Sequence, residues 1–371
     1  MEFIDLHKQY QKLKSDIDKE IYDVINSTHF ISGDKVKEIE EDLKEYVGTK
    51  FCLTCANGTD ALTLALRALN IKEGDAVFVS DYTYFASAEV IALERATPVF
   101  VDVNETFNID PTSLEKAILS VIHEGLLKPK AIIAVDLFGQ PADFNSIIEI
   151  AKRYNLKIVE DGAQGFGGTI GDKKACSFGD ISTTSFFPVK PLGCYGDGGA
   201  VFTNSKEHYD LMASLAVHGK GEDKYDNVRI GYNSRLDTLQ AAILKPKLKA
   251  FIDFELKQRN IIASRYSERL KGFFVTPTVL PGFMSSWAQF TLLAKDEKER
   301  SLVMEHLKNN GIPTMIYYKK PMHLEKVFEN VKQYVSLKNS ESFMKRAFSI
   351  PMHPYLDDET QELIINCLID K

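Results

Sequence analysis

The sequence lacks the features that mark membrane, secreted and nucleic-acid-binding proteins. No apolar run approaches the roughly eighteen residues that are needed to span a bilayer. The amino terminus, Met1 to Asp5, has neither the basic nor the apolar region of a secretory signal. The formal net charge of −7 and the pI near 5.7 give no basic surface for nucleic acid. We therefore expect a cytoplasmic protein that binds neither a membrane nor nucleic acid.

Cysteine and histidine are scarce and poorly spaced for structural chemistry. The five cysteines are odd in number and scattered, which argues against a disulfide framework. Cys52 and Cys55 form a C-x-x-C, but no second pair follows at zinc spacing, so we interpret them as small buried residues. The eight histidines show no ligand spacing. No metal site is predicted.

The chain of 371 residues, 44% of them hydrophobic, exceeds one ordinary core and predicts two domains. Apolar strand patterns alternate with helical patterns such as 142–154, which predicts an α/β fold with a mostly parallel sheet. A long helical stretch from 237 to 270 then leads to a smaller α/β domain. The predicted strands are 51–53, 76–79, 97–101, 131–135, 157–160, 181–187 and 200–203.

Lys190 follows the predicted strand 181–187 and precedes a turn that is dense in glycine, Gly193 to Gly199. A fold can hold an amine out of water at such a position. Because desolvation disfavours the ammonium form, this lysine could be a neutral nucleophile that forms a Schiff base with a carbonyl. The alternative is an ordinary solvated lysine beside a turn.

Glu160 is the last residue of the strand predicted over 157–160, and Asp161 follows it directly. Open α/β sheets bind their ligands at the carboxyl ends of strands. A carboxylate there can keep the pyridine nitrogen of pyridoxal phosphate protonated, which makes the ring an electron sink. Asp161 is the better placed of the two. The alternative is an acidic loop that caps the next helix.

A phosphate site is predicted where the strand at 51–53 leads into a helix. Gly58 allows close approach of the backbone, Thr59 can donate a hydroxyl hydrogen bond, and the helix amino terminus supplies N–H groups. The alternative is that Thr59 or Asp60 only caps the helix.

These segments, taken in order with Asn233 to Ala242 and Ile350 to Pro354, resemble the DegT/DnrJ/EryC1/StrS family of nucleotide-sugar aminotransferases. The resemblance covers nearly the whole chain. It implies the aspartate-aminotransferase fold, fold type I of the enzymes that depend on pyridoxal 5'-phosphate (PLP). It further implies a large cofactor domain over 1–245, with its amino-terminal segment against a small carboxyl-terminal domain over 246–371.

The resemblance assigns roles around the cofactor ring. Lys190 would hold PLP and move the proton between the substrate carbon and the cofactor's C4′ atom. Asp161 would pair with the pyridine nitrogen, and Gln164 would lie near the phenolic oxygen. Tyr84, preferred over Tyr82, would stack on the ring, with a core tyrosine as the alternative.

The resemblance also implies how the phosphate is bound. Gly58, Thr59, Asp60 and Ser185 would bind it, and Asn233 would reach the same phosphate from the neighbouring subunit. A homodimer with shared active sites is therefore expected.

On the substrate side, Tyr318 and His323 match an aromatic and a histidine of the family's substrate loop. A sugar carboxylate could be received by Arg235 or by the pair Lys319 and Lys320, although a solvated surface pair is the favoured interpretation of these lysines.

The activity implied by the resemblance is ping-pong transamination from L-glutamate to a nucleotide-linked keto sugar, for bacterial surface polysaccharide such as lipopolysaccharide O-antigen. The segment Ser185 to Gly199 is most similar to the branch that acts on UDP-2-acetamido-2-deoxy-3-keto-hexuronates. A nucleotide-linked 4-keto-6-deoxy sugar is the alternative substrate.

Three other functions are less well supported. An oxidoreductase would need the full glycine spacing of a dinucleotide site, which Gly165 to Gly168 lacks. A non-catalytic PLP protein would not require Lys190, Asp161 and Gln164 together. A sugar dehydratase of this family carries histidine in place of the lysine.

Overall fold

The structure is a computed structural model that describes residues 1–223 and 225–370. Its strands are β1 (Phe51–Cys55), β2 (Asp75–Ser80), β3 (Thr97–Val101), β4 (Lys128–Val135), β5 (Lys157–Asp161), β6 (Thr169–Ile170), β7 (Lys173–Lys174), β8 (Ile181–Ser185), β9 (Gly199–Thr203), β10 (Phe283–Met284), β11 (Phe290–Leu293) and β12 (Ala347–Ile350). Its helices are α1 (Leu6–Ser27), α2 (Asp34–Val47), α3 (Gly58–Ala68), α4 (Ala86–Leu93), α5 (Pro111–Glu124), α6 (Phe144–Tyr154), α7 (Lys206–Ala216), α8 (Thr238–Ala250), α9 (Leu256–Leu270), α10 (Glu297–Asn309), α11 (Lys338–Arg346) and α12 (Asp358–Ile369).

A seven-stranded sheet in the order β1-β9-β8-β5-β4-β2-β3 forms the centre of the molecule. Strand β9 runs antiparallel to both of its neighbours, whereas the pairs from β8 to β3 are parallel. The predicted mostly parallel α/β sheet is therefore confirmed, and each predicted strand is present.

The bounds of the strands differ from the prediction where turns compete with pairing. The predicted strand 181–187 ends at Ser185, because the N–H of Phe186 donates to the carbonyl of Gly198 and the carbonyl of Phe186 accepts from Cys194. The following loop, residues 186–198, carries Lys190.

The sheet is buried on both faces because its strands are almost continuously apolar. Alternate residues point to opposite sides, so Val77 and Val79 pack with α3, α4 and α7, whereas Phe78 packs with α5 and α6. Helix α6 begins at Phe144 rather than at 142. Its buried residues are Phe144, Ile147, Ile150 and Ala151, and the partly buried Ile148 packs against the same apolar cluster.

The predicted long helical stretch forms as α8, a π-helical turn over Phe251–Glu255, and α9. A separate apolar cluster then surrounds β11, β12 and α12, with members between Ile262 and Leu368. The proposed domain boundary at 245/246 falls inside α8 and stays a proposal.

The amino-terminal helix α1 contacts the carboxyl-terminal part of the chain. Lys8 Nζ lies 3.1 Å from Asp357 Oδ2, and Gln9 Nε2 donates to Glu255 Oε1 at 2.9 Å. Within the described part of the chain, no helix has the length and apolarity that crossing a membrane requires.

Candidate active site

A cavity of about 630 Å³ lies at the carboxyl ends of the central strands. Val135, Asp161 and Ser185 are the last residues of β4, β5 and β8, and all of them line it. This is the edge at which open α/β sheets bind ligands. Of the predicted site residues, the cavity brings together Gly58, Thr59, Asp60, Tyr84, Asp161, Gln164, Ser185, Lys190 and Tyr318.

Lys190 is held in the cavity wall by its loop. Its backbone N–H donates to the carbonyl of Phe187 at 2.9 Å, and its side chain is only partly exposed. Burial lowers the pKa of Lys190, and the nearby Asp161 carboxylate opposes that shift. A lowered pKa increases the fraction of neutral amine, which is the form that attacks a carbonyl.

Asp161 ends β5 with both carboxyl oxygens bound. Oδ2 accepts from Ser87 Oγ at 2.7 Å, and Oδ1 accepts from the N–H of Ala163 at 3.2 Å. Burial raises the pKa of Asp161, whereas these hydrogen bonds and Lys190 lower it. A turn and the short strand β6 follow, so the alternative that this acidic pair caps a helix is wrong.

Gln164 connects two walls of the cavity. Its Oε1 accepts from the N–H of Phe138 at 2.9 Å, and its Nε2 donates to the Tyr318 hydroxyl at 3.1 Å. Gln164 is buried and Tyr318 is partly buried, and burial raises the pKa of Tyr318. Gln164 is thereby oriented from both ends.

The turn before α3 has the geometry of an anion site. Asn57 caps the helix, with its Oδ1 accepting from the N–H of Asp60 at 2.8 Å, so neither Thr59 nor Asp60 is the cap. A Cβ added to Gly58 would lie 2.8 Å from Ser185 Cβ, which explains why glycine is needed there. The helix amino terminus and two hydroxyl side chains at this end of the cavity suit a phosphate.

The two candidate tyrosines of the 81–87 segment separate clearly. Tyr84 lines the cavity and is 57% exposed, whereas Tyr82 is fully buried in the core. The Tyr82 hydroxyl donates to the carbonyl of Tyr317 at 2.6 Å and accepts from the N–H of Tyr318 at 2.9 Å. Tyr82 thus holds the backbone of the substrate-side loop, and Tyr84 is the one free to meet a ligand.

Three of the predicted site residues do not line this cavity: Asn233, Arg235 and His323. Asn233 is exposed, and its Oδ1 accepts from Arg235 Nη2 at 2.5 Å. His323 is buried behind the wall, with Nδ1 at 2.7 Å from Asp81 Oδ2 and its backbone N–H on Asp81 Oδ1 at 2.9 Å. Within one chain, the structure places His323 as a support of the 81–87 segment.

The sequence reasoning missed several residues of the site. Ser87, which donates a hydrogen bond to Asp161, lies three residues after Tyr84. The sequence therefore identifies the 81–87 segment but not the role of Ser87. Tyr317 and Gln289 also line the cavity. Gln289 precedes the short strand β11 and follows no motif, so no local signal could have found it.

This donor set fits PLP. A desolvated amine, a buried carboxylate and an anion site at a helix amino terminus surround one cavity, and they match the cofactor's aldehyde, pyridine nitrogen and phosphate. Buried Cys52 and Cys55 confirm the interpretation of the C-x-x-C. Over the described residues, no group of three or more metal-binding side chains is present.

Comparison with known proteins decides the family. The sequence model of the DegT/DnrJ/EryC1/StrS aminotransferase family matches residues 11–369. The chain belongs to this family. It is therefore a sugar aminotransferase whose cofactor is PLP, with the predicted fold of that enzyme class.

Individual relatives agree along the whole length of this aminotransferase. It is 41% identical over 370 residues, 99% of each chain, to the UDP-2-acetamido-2-deoxy-3-oxo-D-glucuronate aminotransferase of Pseudomonas aeruginosa. A solved family member from Brucella abortus has a TM-score of 0.97 and 45% identity, covering 100% of this chain and 99% of that one. NtdA from Bacillus subtilis, solved with bound PMP, has a TM-score of 0.87 and 27% identity over 99% of this chain and 82% of its own.

Proposed function

We propose that this aminotransferase transfers the amino group of L-glutamate to a UDP-linked 2-acetamido-2-deoxy-3-keto-hexuronate, for bacterial surface polysaccharide. The 41% identity to an aminotransferase of that substrate, over 99% of both chains, is the observation that carries the proposal. The similarity of the segment Ser185 to Gly199 to the same branch supports it. The cytoplasmic location stays a prediction.

PLP, when bound, supplies an aldehyde for amines to condense with and a ring that withdraws electrons. The side chains of the cavity do the remaining work. Lys190 Nζ would hold the cofactor and would carry a proton to and from the substrate carbon. Asp161, held by Ser87, would be the carboxylate that pairs with the pyridine nitrogen. Gln164 and Tyr318, bound to each other, close one wall against water.

A hexuronate carries a carboxylate that a neutral sugar lacks, and this chain offers cations for it. Lys319 and Lys320 are exposed and come directly after Tyr317 and Tyr318 of the cavity wall. Arg235 is partly exposed and bound to Asn233. We propose Arg235, with its planar and bidentate donors, as the carboxylate partner and the lysine pair as the source of a wider attraction.

The substrate is tested by mass spectrometry. Enzyme that has been converted by L-glutamate to its amino form is mixed in turn with UDP-linked 3-keto-hexuronates, UDP-linked 3-keto sugars without a carboxylate, and nucleotide-linked 4-keto-6-deoxy sugars. We expect only the hexuronate to gain an amine at a useful rate and to restore the starting spectrum. Preferred amination of a 4-keto-6-deoxy sugar would overturn the proposed substrate.

We further propose that the enzyme is an obligatory homodimer with shared sites. The segment before Asn233 exposes large apolar side chains, with Val228 54% and Ile230 86% exposed. Such exposure is unfavourable unless another surface covers it. Because Asn233 and Arg235 lie outside the cavity of their own chain, a neighbouring subunit is the natural place for their contacts.

Complementation tests the shared site. Chains carrying Lys190→Ala are mixed with chains carrying Asn233→Ala, after exchange has been demonstrated by mass. We expect each mixed dimer to contain one intact site and the mixture to regain a measurable part of the activity. A fully active monomer in sedimentation, or exchanged chains that recover nothing, would exclude the composite site.

A further inference from the structure

Two buried carboxyl groups stand behind the cavity wall and touch neither the cavity nor the solvent. Asp136 directly follows β4, and Glu160 lies in β5 just before Asp161. Both side chains are fully buried. The N–H of Asp136 donates to the carbonyl of Asp161 at 3.1 Å, so the residue after β4 is hydrogen-bonded directly to the backbone of the cavity residue Asp161.

Hydrogen-bond donors are distributed unequally between these carboxyls. Glu160 accepts from the N–H of Cys176 at 2.5 Å, the N–H of Phe178 at 2.8 Å and Ser182 Oγ at 2.7 Å. Three donors compensate a buried negative charge well. Burial raises the pKa of Glu160 as well, but these three donors oppose the shift, so Glu160 is the better compensated of the two carboxylates.

Asp136 has far less compensation. Its Oδ1 accepts from the N–H of Ala142 at 2.9 Å, and no N–H or O–H of the described residues donates to its Oδ2. Glu160 lies on the same side of the sheet: it pairs with Ala134, so Asp136 and Glu160 point to the same face of β4 and β5, and both lie beside Cys176. A contact between two carboxyls is favourable only if one of them carries a proton, because both oxygens would otherwise be acceptors. Burial and Glu160 together raise the pKa of Asp136 well above its usual range.

The Asp136 carboxyl also packs against the turn that carries the cofactor residues. A Cβ added to Gly165 would overlap this carboxyl, so the turn fits over it only with glycine at that position. Two residues further along, the N–H of Phe138 binds Gln164 Oε1. The segment 136–138 thus supports the turn from Asp161 to Gly165 from behind.

Other titratable groups face the pair, and they favour a neutral Asp136. Asp161 lies on the adjoining strand, and Cys176, whose pKa burial and these acids raise, packs beside Glu160. Lys190 faces Asp161 from the cavity side. A second ionised carboxyl behind Asp161 would repel both Glu160 and Asp161 in a region that excludes water.

We propose that Asp136 is a positioning residue: a neutral acid that donates its proton to Glu160 and fixes the turn bearing Asp161 and Gln164 without adding a charge behind them. The proposal concerns the binding of the family's cofactor and does not depend on which sugar is aminated. Its failure and the failure of the proposed substrate are therefore read from different experiments.

The first test compares Asp136→Asn with Asp136→Ala in the full-length enzyme, stripped of cofactor and titrated with PLP by near-visible absorbance. Asparagine can still accept from Ala142 and donate to Glu160, so we expect its Kd for PLP to stay within about twofold of the wild type. Alanine leaves buried polar partners unpaired, so we expect a Kd weaker by about tenfold or more. No sugar is needed for this measurement.

The second test is the pH dependence of the thermal midpoint of the same cofactor-free proteins. An acid whose pKa is raised by folding binds more protons in the folded state, so wild-type stability falls as pH rises from the unfolded pKa toward the folded one. Asp136→Asn lacks this proton. We expect the Tm of Asp136→Asn to rise relative to that of the wild type between pH 5 and pH 8. The ratio of the two unfolding constants should change by up to about tenfold per pH unit.

Asp143→Asn is the matched control. Asp143 caps α6 with its carboxyl on the N–H of Ser146, and asparagine can replace it there, so no gain with rising pH is expected. Three results overturn the proposal: an Asp136→Asn variant that fails to fold, one that binds PLP as poorly as Asp136→Ala, or one whose Tm does not gain on the wild type as pH rises.

Discussion

Two lysines of this enzyme have lost most of their contact with water, and only one of them lines the candidate active-site cavity. Lys190 lies in the cavity wall near the Asp161 carboxylate. Lys247 lies inside α8, is 1% exposed, and has its Nζ 4.9 Å from the ring centre of Tyr195. Burial lowers the pKa of both, that of Lys247 to about 8.

The comparison shows that a lysine can be desolvated without having access to a ligand cavity. Lys190 lines a cavity that also contains the Asp161 carboxylate and the anion site before α3. Lys247 instead contacts the ring of Tyr195, and its Nζ has no hydrogen-bond partner among the described residues. Tyr195 belongs to the loop that carries Lys190. Lys247 therefore packs against the loop that carries Lys190.

Replacing Lys190 gives the largest expected effect. Lys190→Ala should lower kcat by a factor on the order of 10³ or more, because both the covalent attachment and the proton carrier are lost. The near-visible absorbance of the purified protein should shift at the same time. Lys247→Met is the control with a buried lysine of similar pKa shift, and a comparable loss there would contradict the distinction between the two.

Asp161 is expected to have the second largest effect. Asp161→Ala should lower kcat by about 10²-fold or more, because the pyridine nitrogen loses the carboxylate that keeps it protonated. Steady-state kinetics with circular dichroism checks both rate and fold. Asp110→Asn, at the cap of α5, is the control and should change neither. An unchanged kcat in Asp161→Ala would show that this carboxylate only shapes its turn.

Tyr82 tests the support of the cavity wall formed by Tyr317 and Tyr318. Tyr82→Phe removes the hydroxyl that binds the backbone of Tyr317 and Tyr318, so we expect kcat/KM for the sugar to fall by about tenfold. The cofactor spectrum should be unchanged. Tyr266→Phe removes another buried hydroxyl, on the carbonyl of Pro351, and should leave kcat/KM unaltered. Equal losses in both variants would show that the Tyr82 hydroxyl contributes only to the general stability of the fold.

Lys247 is expected to have the smallest effect on activity and a clear effect on stability. Lys247→Met should keep kcat within about twofold and raise the free energy of unfolding at pH 7 by about 1–3 kcal/mol, because a buried cation is removed. Chemical denaturation at several pH values measures the difference.

The sign of its pH dependence follows from the lowered pKa. Between about 8 and the usual 10.5 the unfolded chain binds more protons than the folded one, so wild-type stability rises with pH in this window. The advantage of Lys247→Met should therefore shrink as pH rises from 8 to 10.5. A constant advantage would mean that Lys247 is not desolvated.

Much of the site could be predicted because its chemistry lies in short segments. Lys190 between a strand and a glycine-rich turn, Asp161 at a strand end, and Gly58 before a helix each carry their own local signal. Parallel strands then bring their carboxyl ends to one edge, so these distant segments had to meet. The buried Asp136 and the contact between Ser87 and Asp161 had no such signal.

The amino-acid sequence by itself determined the alternation of strands and helices, the chemical identity of the site and the family. These depend on periodicity and on residue types at short spacing, which are local properties. Only the tertiary structure decided that Tyr82 supports a loop while Tyr84 lines the cavity, and that His323 binds Asp81 away from it. The same holds for the burial of Lys247 and for the placement of Asp136 beside Glu160. The physical reason is that burial and pKa depend on neighbours from remote parts of the chain, which only folding brings into contact.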